Sequence, residues 1–191
     1  MEEKKKTILN YLKKGNRKEG KFEHRVMNLV LQKLNSDLYA FDNKAVYNAD
    51  KTLLIYQVSD VERVTIATTV KSIGRMAFNE HRKLSRLNLA AVEEIGQEAF
   101  LGCEALQTLH IPSSVKVIKK KAFGNCLQLK KLVFEGVPPK INASAFSGCE
   151  ELKLIEVPQG ATDVVSHALG ITDGSEIMIT EIGEKTETKH D

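Results

Sequence analysis

Tryptophan is absent from this 191-residue chain, and aromatic residues make up only 6% of it, so any core must be mostly aliphatic. No apolar run approaches the roughly 18 residues a membrane-spanning helix needs, which excludes a transmembrane segment of that kind and points to a soluble protein. Strong net charge is missing as well. Lys and Arg number 28 against 25 Asp and Glu, and the resulting +3 is too small to imply a nucleic-acid partner. No signal peptide is visible, because Glu2 and Glu3 follow Met1 and no uninterrupted apolar run of about 7–15 residues comes next. Two readings stay open: a cytoplasmic protein, or a mature or excised piece of a longer secreted one. Cysteine is scarce, and its count of 3 is odd.

The length suits one domain, or one domain with an extension, and 42% hydrophobic residues suffice for a real core. Charge is unevenly spread. Residues 1–37 hold 10 Lys and Arg against 5 acids, so this segment carries +5 and the remainder about −2. Within it, Phe22, Val26, Leu29, Val30 and Leu34 follow a helical stripe, which predicts an amphipathic helix over 21–35. Covering the open end of the structure that follows is its economical role, with docking onto a partner's groove as the alternative. Gly15 to Lys21 spells G-x-x-x-x-G-K, but Phe22 stands where a magnesium-binding Ser or Thr is required and no strand precedes it, so nucleotide binding is set aside. Residues 38–60 change period: Leu38–Phe41, Lys44–Tyr47 and Thr52–Tyr56 are β-prone runs separated by Asp42-Asn43 and Asn48–Lys51, which predicts a hairpin cap.

From residue 61 to 182 the chain repeats itself. Phe78, Phe100, Phe123 and Phe146 are spaced 22, 23 and 23 residues apart, with Leu169 a further 23 on, and such a period means a solenoid of stacked coils. Val64, Leu87, Leu109, Leu132 and Ile155 form one column, and Ile66, Leu89, Ile111, Phe134 and Val157 another two residues later. That alternation predicts a short strand with one buried face. Extending these columns by 22 reaches Ile177 and Ile179 and predicts a sixth strand. Further columns run through Ile73, Ile95, Ile118, Ile141 and Val164, and through Ala77, Ala99, Ala122, Ala145 and Ala168 before the phenylalanines. Leu89-Ala-Ala-Val92 is one residue shorter than Ile111-Pro-Ser-Ser-Val115, which places the 22-residue step in a loop. The charged stretch 183–191 lacks apolar periodicity and reads as a disordered tail.

Residues 44–169 resemble the leucine-rich repeats of the BspA type. Ile111-Pro112-Ser-Ser-Val115-Lys-Val-Ile118-Lys-Lys-Lys-Ala122-Phe123-Gly-Asn-Cys126-Leu-Gln-Leu129 follows that family's repeat closely, and Ala45–Tyr56 resembles its entry segment. The departures are Lys119 and Asn142 in place of the family's Gly, and His81 and Thr172 in place of Cys in the terminal repeats. The resemblance implies a non-enzymatic binding scaffold, often surface-exposed or secreted in bacteria of the gut and mouth and in some parasitic protists. It implies no particular ligand.

Chemistry-bearing residues are few. Cys103, Cys126 and Cys149 recur every 23 residues in one column and read as small buried thiols, since a zinc site needs four converging ligands rather than a line of three. None of His24, His81, His110, His167 and His190 has metal-ligand spacing or an evident nucleophile partner, so no cofactor, metal or catalytic site is expected. Asn142-Ala143-Ser144 is a glycosylation sequon. Lys119-Lys120-Lys121 lies in a loop region. What remains is the outward face of the strands: Arg63, Thr65, Arg86, Asn88, Thr108, His110, Lys131, Val133 and Glu156, with Leu154 at its end. Arg63, Arg86 and Lys131 fall in one column and form a basic line across the strands. The sequence thus predicts an α/β repeat solenoid, right-handed, with about six short parallel strands. It would act as a monomer, binding a protein or glycan ligand through the strand face, with adhesion or host interaction as the role. The alternative is an intracellular scaffold or regulatory protein whose basic N-terminal helices engage a partner.

Overall fold

The computed structural model describes residues 39–41, 44–172 and 174–183. Three strands open the described chain: β1 (Tyr39–Phe41), β2 (Ala45–Asn48) and β3 (Leu53–Gln57), paired antiparallel as a meander. Its second turn forms because Asn48 and Asp50 accept from the chain that follows: Asn48 Oδ1 takes the Leu53 N–H at 2.8 Å and Asp50 Oδ1 takes the Thr52 N–H at 3.0 Å. The helix expected over 21–35 lies outside the described residues, as does all of the tail beyond Gly183.

Each following coil contributes a front strand and then a two-residue lateral strand. The front strands are β4 (Arg63–Thr65), β6 (Arg86–Asn88), β8 (Thr108–Ile111), β10 (Lys131–Phe134) and β12 (Leu154–Val157), followed by β13 (Met178–Glu181). The lateral strands are β5 (Ser72–Ile73), β7 (Glu94–Ile95), β9 (Val117–Ile118) and β11 (Lys140–Ile141). All pairings among these coils are parallel. The meander is not a separate cap set before the first repeat. β3 pairs in parallel with β5 and brings Leu54 into register with Ile73, so the lateral sheet runs β1-β2-β3-β5-β7-β9-β11 without a break.

The columns read from the sequence are stacks in space. Val64 pairs with Leu87, Leu109 with Leu132 and Leu132 with Ile155, and Leu109, Leu132 and Ile155 are fully buried. On the turn side the phenylalanine rings form one continuous pile. Phe78 and Phe100 lie 4.7 Å apart, Phe100 and Phe123 5.0 Å, and Phe123 and Phe146 5.4 Å, with interplanar angles of 16°, 1° and 5°. Each contact of this kind adds about 0.5–1.5 kcal/mol beyond area burial. Ala77, Ala99, Ala122 and Ala145 are all fully buried. Their carbonyls receive the N–H of the preceding coil: Gln57 to Ala77 at 2.9 Å, Phe78 to Ala99 and Phe100 to Ala122 at 2.7 Å, and Phe123 to Ala145 at 2.9 Å. A larger side chain at these alanines would hold the coils apart. Two residues past each ring the backbone turns left-handed, at Glu80 (φ 57°), Gly102 (74°), Asn125 (54°) and Gly148 (77°), which explains the Gly and Asn found there.

The last coil departs from the pattern. Where a lateral strand and a ring were expected, Thr162–Leu169 forms helix α1, which packs against β11 and β13. Gly170 ends it at φ 66°, with Gly170 N–H bonded to His167 O and Ile171 N–H to Ser166 O. The helical period moves the inward position: Val165 is buried, whereas Val164, expected in the isoleucine column, is 57% exposed. Register shifts too, because β13 pairs Ile155 with Ile179, 24 residues on, not with Ile177.

Replacing Phe123 with Ala removes a ring clasped between two others, and the resulting cavity cannot collapse without shifting both neighbouring coils. The expected loss is about 3–5 kcal/mol in urea unfolding. A loss below about 1 kcal/mol would contradict the ring pile as a source of stability.

Candidate functional site

Period-two alternation decides what the front face offers. Arg63, Thr65, Arg86, Asn88, Thr108 and His110 all point outward and are exposed. Further along, the expected site residues behave differently. Lys131 Nζ lies 2.7 Å from Glu156 Oε1, and His110 Nδ1 lies 3.0 Å from Glu135 Oε1. Val133, in register with both His110 and Glu156, sits between these two pairs and is only 6% exposed. It is therefore not available as a surface contact. The basic line Arg63–Arg86–Lys131 is cut in the same way, because Lys131 has its counter-charge within the chain. Leu154 is half-buried beside them.

Sequence reasoning missed the feature that divides this face. β6 and β8 do not share a ladder: β4 and β6 form a two-stranded sheet, while β8, β10, β12 and β13 form a separate four-stranded one. The cause lies in the short loop Leu89-Ala-Ala-Val92. In the first and third coils, Val70 and Val115 donate to Ala67 and Pro112, the residues just beyond Ile66 and Ile111, whereas Val92 donates to Leu89 itself. Ala90 is driven to φ 47°, and its N–H folds back onto Asn88 Oδ1 at 2.8 Å. β6 ends there. The gap opens into a groove of about 470 Å³ lined by Ser85, Arg86, Leu87, Gln107, Thr108 and His110. The 22-residue step between Phe78 and Phe100 was the signal of it in the sequence.

The cysteine column is built for packing. Each thiol donates to the carbonyl of the phenylalanine one coil before its own: Cys103 to Phe78 at 3.4 Å, Cys126 to Phe100 at 3.4 Å and Cys149 to Phe123 at 3.1 Å. All three are free, and burial pushes the Cys103 thiol up to about 12. Cys126 is also raised, first by its hydrogen bond with Cys149 and then by burial, and that same bond lowers Cys149, the least buried of the three. His81 takes the cysteine's place in the first coil. It packs edge-on to Phe78 at 5.5 Å, is 5% exposed, and its Nε2 has no partner. Burial lowers its pKa, against a smaller opposing pull from the Asp60 charge and the Asn79 carbonyl. Among the described residues no group of three or more His, Cys, Asp or Glu is placed to hold a metal ion, and no helix is long and apolar enough to cross a membrane.

Parallel coils that repeat every 22–23 residues, with Leu and Ile inside the front strands and little helix, define a leucine-rich repeat solenoid. Six copies of the BspA type leucine-rich repeat region match residues 54–172, more than half of the chain, and the protein belongs to that family. Among solved structures, the pneumococcal vaccine antigen PcpA is similar at 25% identity and a TM-score of 0.59, over 65% of this chain and 32% of that one. A leucine-rich repeat protein from Eubacterium ventriosum is 29% identical with a TM-score of 0.59, over 67% of this chain and 35% of that one. A leucine-rich cell surface protein from Faecalibacterium prausnitzii shares the fold at 22% identity and a TM-score of 0.53, over 71% and 43%. The chain thus spans less than half the length of these relatives. No curated protein matches it.

Two measurements check the buried column. With a thiol-reactive dye on the folded protein, Cys149 is expected to label first, while Cys103 and Cys126 label only on unfolding. Rapid labelling of two or more thiols would show the column to be open. For His81, the folded pKa lies below the unfolded value of about 6.5, so the protonated form favours the unfolded chain. Its contribution is fully present above pH about 6.5 and is lost as pH falls toward the folded pKa, with a slope of up to about 1.4 kcal/mol per pH unit. His81→Cys, which installs the residue of the later coils, should flatten that slope in denaturant unfolding between pH 5 and 7. An unchanged slope would assign the acid sensitivity to other groups.

Proposed function

We propose that this protein is a binding scaffold that engages a protein or glycan ligand through the half of its front face formed by β4, β6 and β8. The observation that carries this reading is the division of that face. Beyond β8, charged side chains are matched within the chain and Val133 is covered. Before it, Arg63, Thr65, Arg86, Asn88, Thr108 and His110 stand exposed beside a groove. Solenoids commonly present such an extended surface to macromolecular partners, since each coil adds one row of side chains to it. Family membership supports a scaffold rather than an enzyme. Similarity to a vaccine antigen supports a place at a cell surface, where adhesion or host interaction would follow.

The combined variant Arg86→Ala, Thr108→Ala, His110→Ala tests this reading on glycan and peptide arrays. All three side chains are exposed, so the melting temperature should stay within about 2 °C of the parent, while array signals above background should disappear. Retention of those signals by a folded variant would move the binding surface elsewhere. A large drop in melting temperature would make these residues structural.

A further inference from the structure

Arg63 and Arg86 are direct register partners on neighbouring parallel strands, both exposed on the same face. Adjacent strands lie about 4.8 Å apart, so two guanidinium groups are held side by side. Like charges directly opposite in a sheet are destabilising, and elsewhere this fold avoids them. On the lateral side Glu93 stands between Lys71 and Lys116 and contacts both, and Lys119 reaches Glu94 at 2.7 Å. On the front face Lys131 meets Glu156. Among the described residues Arg63 and Arg86 have no such counter-charge. Glu62, the chain neighbour of Arg63, forms no ion pair with either, and Asp60 is turned to the Lys83 N–H at 3.0 Å. Arg86 also lines the groove at the sheet break, with Ser85, Gln107, Thr108 and His110 around it.

Resting on the front-face reading above, we infer that this pair recognises an anionic polysaccharide, the arginines holding a carboxylate or sulfate group while the groove takes the adjoining sugar hydroxyls. Two planar forks side by side suit an oxyanion, for which arginine offers paired N–H donors at fixed geometry. The groove lining favours a sugar over a protein. Protein hot spots are anchored by aromatic or aliphatic side chains in buried pockets, and this half of the face presents none outward. It presents hydroxyl, amide and imidazole groups at Thr65, Asn88, Ser85, Gln107, Thr108 and His110, which give and accept hydrogen bonds as sugar hydroxyls do. The absence of an aromatic platform and the presence of two free charges favour an acidic sugar over a neutral one.

The experiment uses the full chain in titration calorimetry against heparin, hyaluronan, neutral dextran and poly-glutamate. Heparin or hyaluronan should bind, weaken with added salt, and lose at least about tenfold in affinity in Arg63→Gln/Arg86→Gln, with melting temperature unchanged or raised because a repulsion is relieved. Lys131→Gln should leave affinity within about twofold, since its charge is already matched. Equal binding of dextran, or of neither acidic polysaccharide, would overturn the inference. Poly-glutamate binding through the same two arginines would replace the sugar by an acidic peptide yet leave the front-face reading intact. Polysaccharide binding that survives the arginine variant and falls only when Lys119, Lys120 and Lys121 are changed to Gln would remove both.

Discussion

Everything in this fold follows from one distance, the spacing of about 4.8 Å at which one coil lies on the next. At that spacing a side chain meets its own copy, and so each inward position must be filled by residues that tolerate themselves as neighbours. Phenylalanine does, ring on ring. Alanine does because it leaves room for the carbonyl that receives the next N–H. The thiols of Cys103, Cys126 and Cys149 do because each is small and can donate to the carbonyl of the phenylalanine in the coil before it. Charge obeys the same rule with the opposite sign: Glu93 stands between Lys71 and Lys116 because a third lysine there would be repelled by both.

This is why so much of the interior was legible in the sequence. A residue that must match its copy one coil away leaves a period in the chain, and Phe78, Phe100, Phe123 and Phe146 could be placed in a row before any coordinate was known. Legibility failed where the copy changes partner. The fifth copy has Ala168 and Leu169 in the right places, but the chain from Thr162 on winds as a helix and exposes Val164 in favour of Val165. Column counting sees identity of residue type and not the local period. The last strand slipped for a related reason, since the stretch after Gly170 inserts extra residues that spacing alone could not locate.

The candidate site was legible only in outline. Outward positions follow from alternation, and six of the nine named residues are exposed as expected. Val133, Lys131 and Glu156 were misjudged because their surroundings depend on pairs that cross from strand to strand, Lys131 with Glu156 and His110 with Glu135. Such diagonal contacts leave no period. The groove between β6 and β8 was present in the sequence only as one missing residue, whose effect on Ala90 and on the strand ladder is a matter of backbone geometry.

That missing residue also has a mechanical meaning. Across the second and third coils the front ladder is interrupted, yet β7 still pairs with β9, and Phe100 still lies flat on Phe123 at an angle of 1°. The two coils are therefore fastened along one side and at the turn, and unfastened on the side that faces a ligand. Such an arrangement is a book with its spine intact: the front can open or close by small rotations about the ring pile while no core column is broken. A ligand seated in the crease would hold it at one angle, and binding there would set the curvature of the whole solenoid.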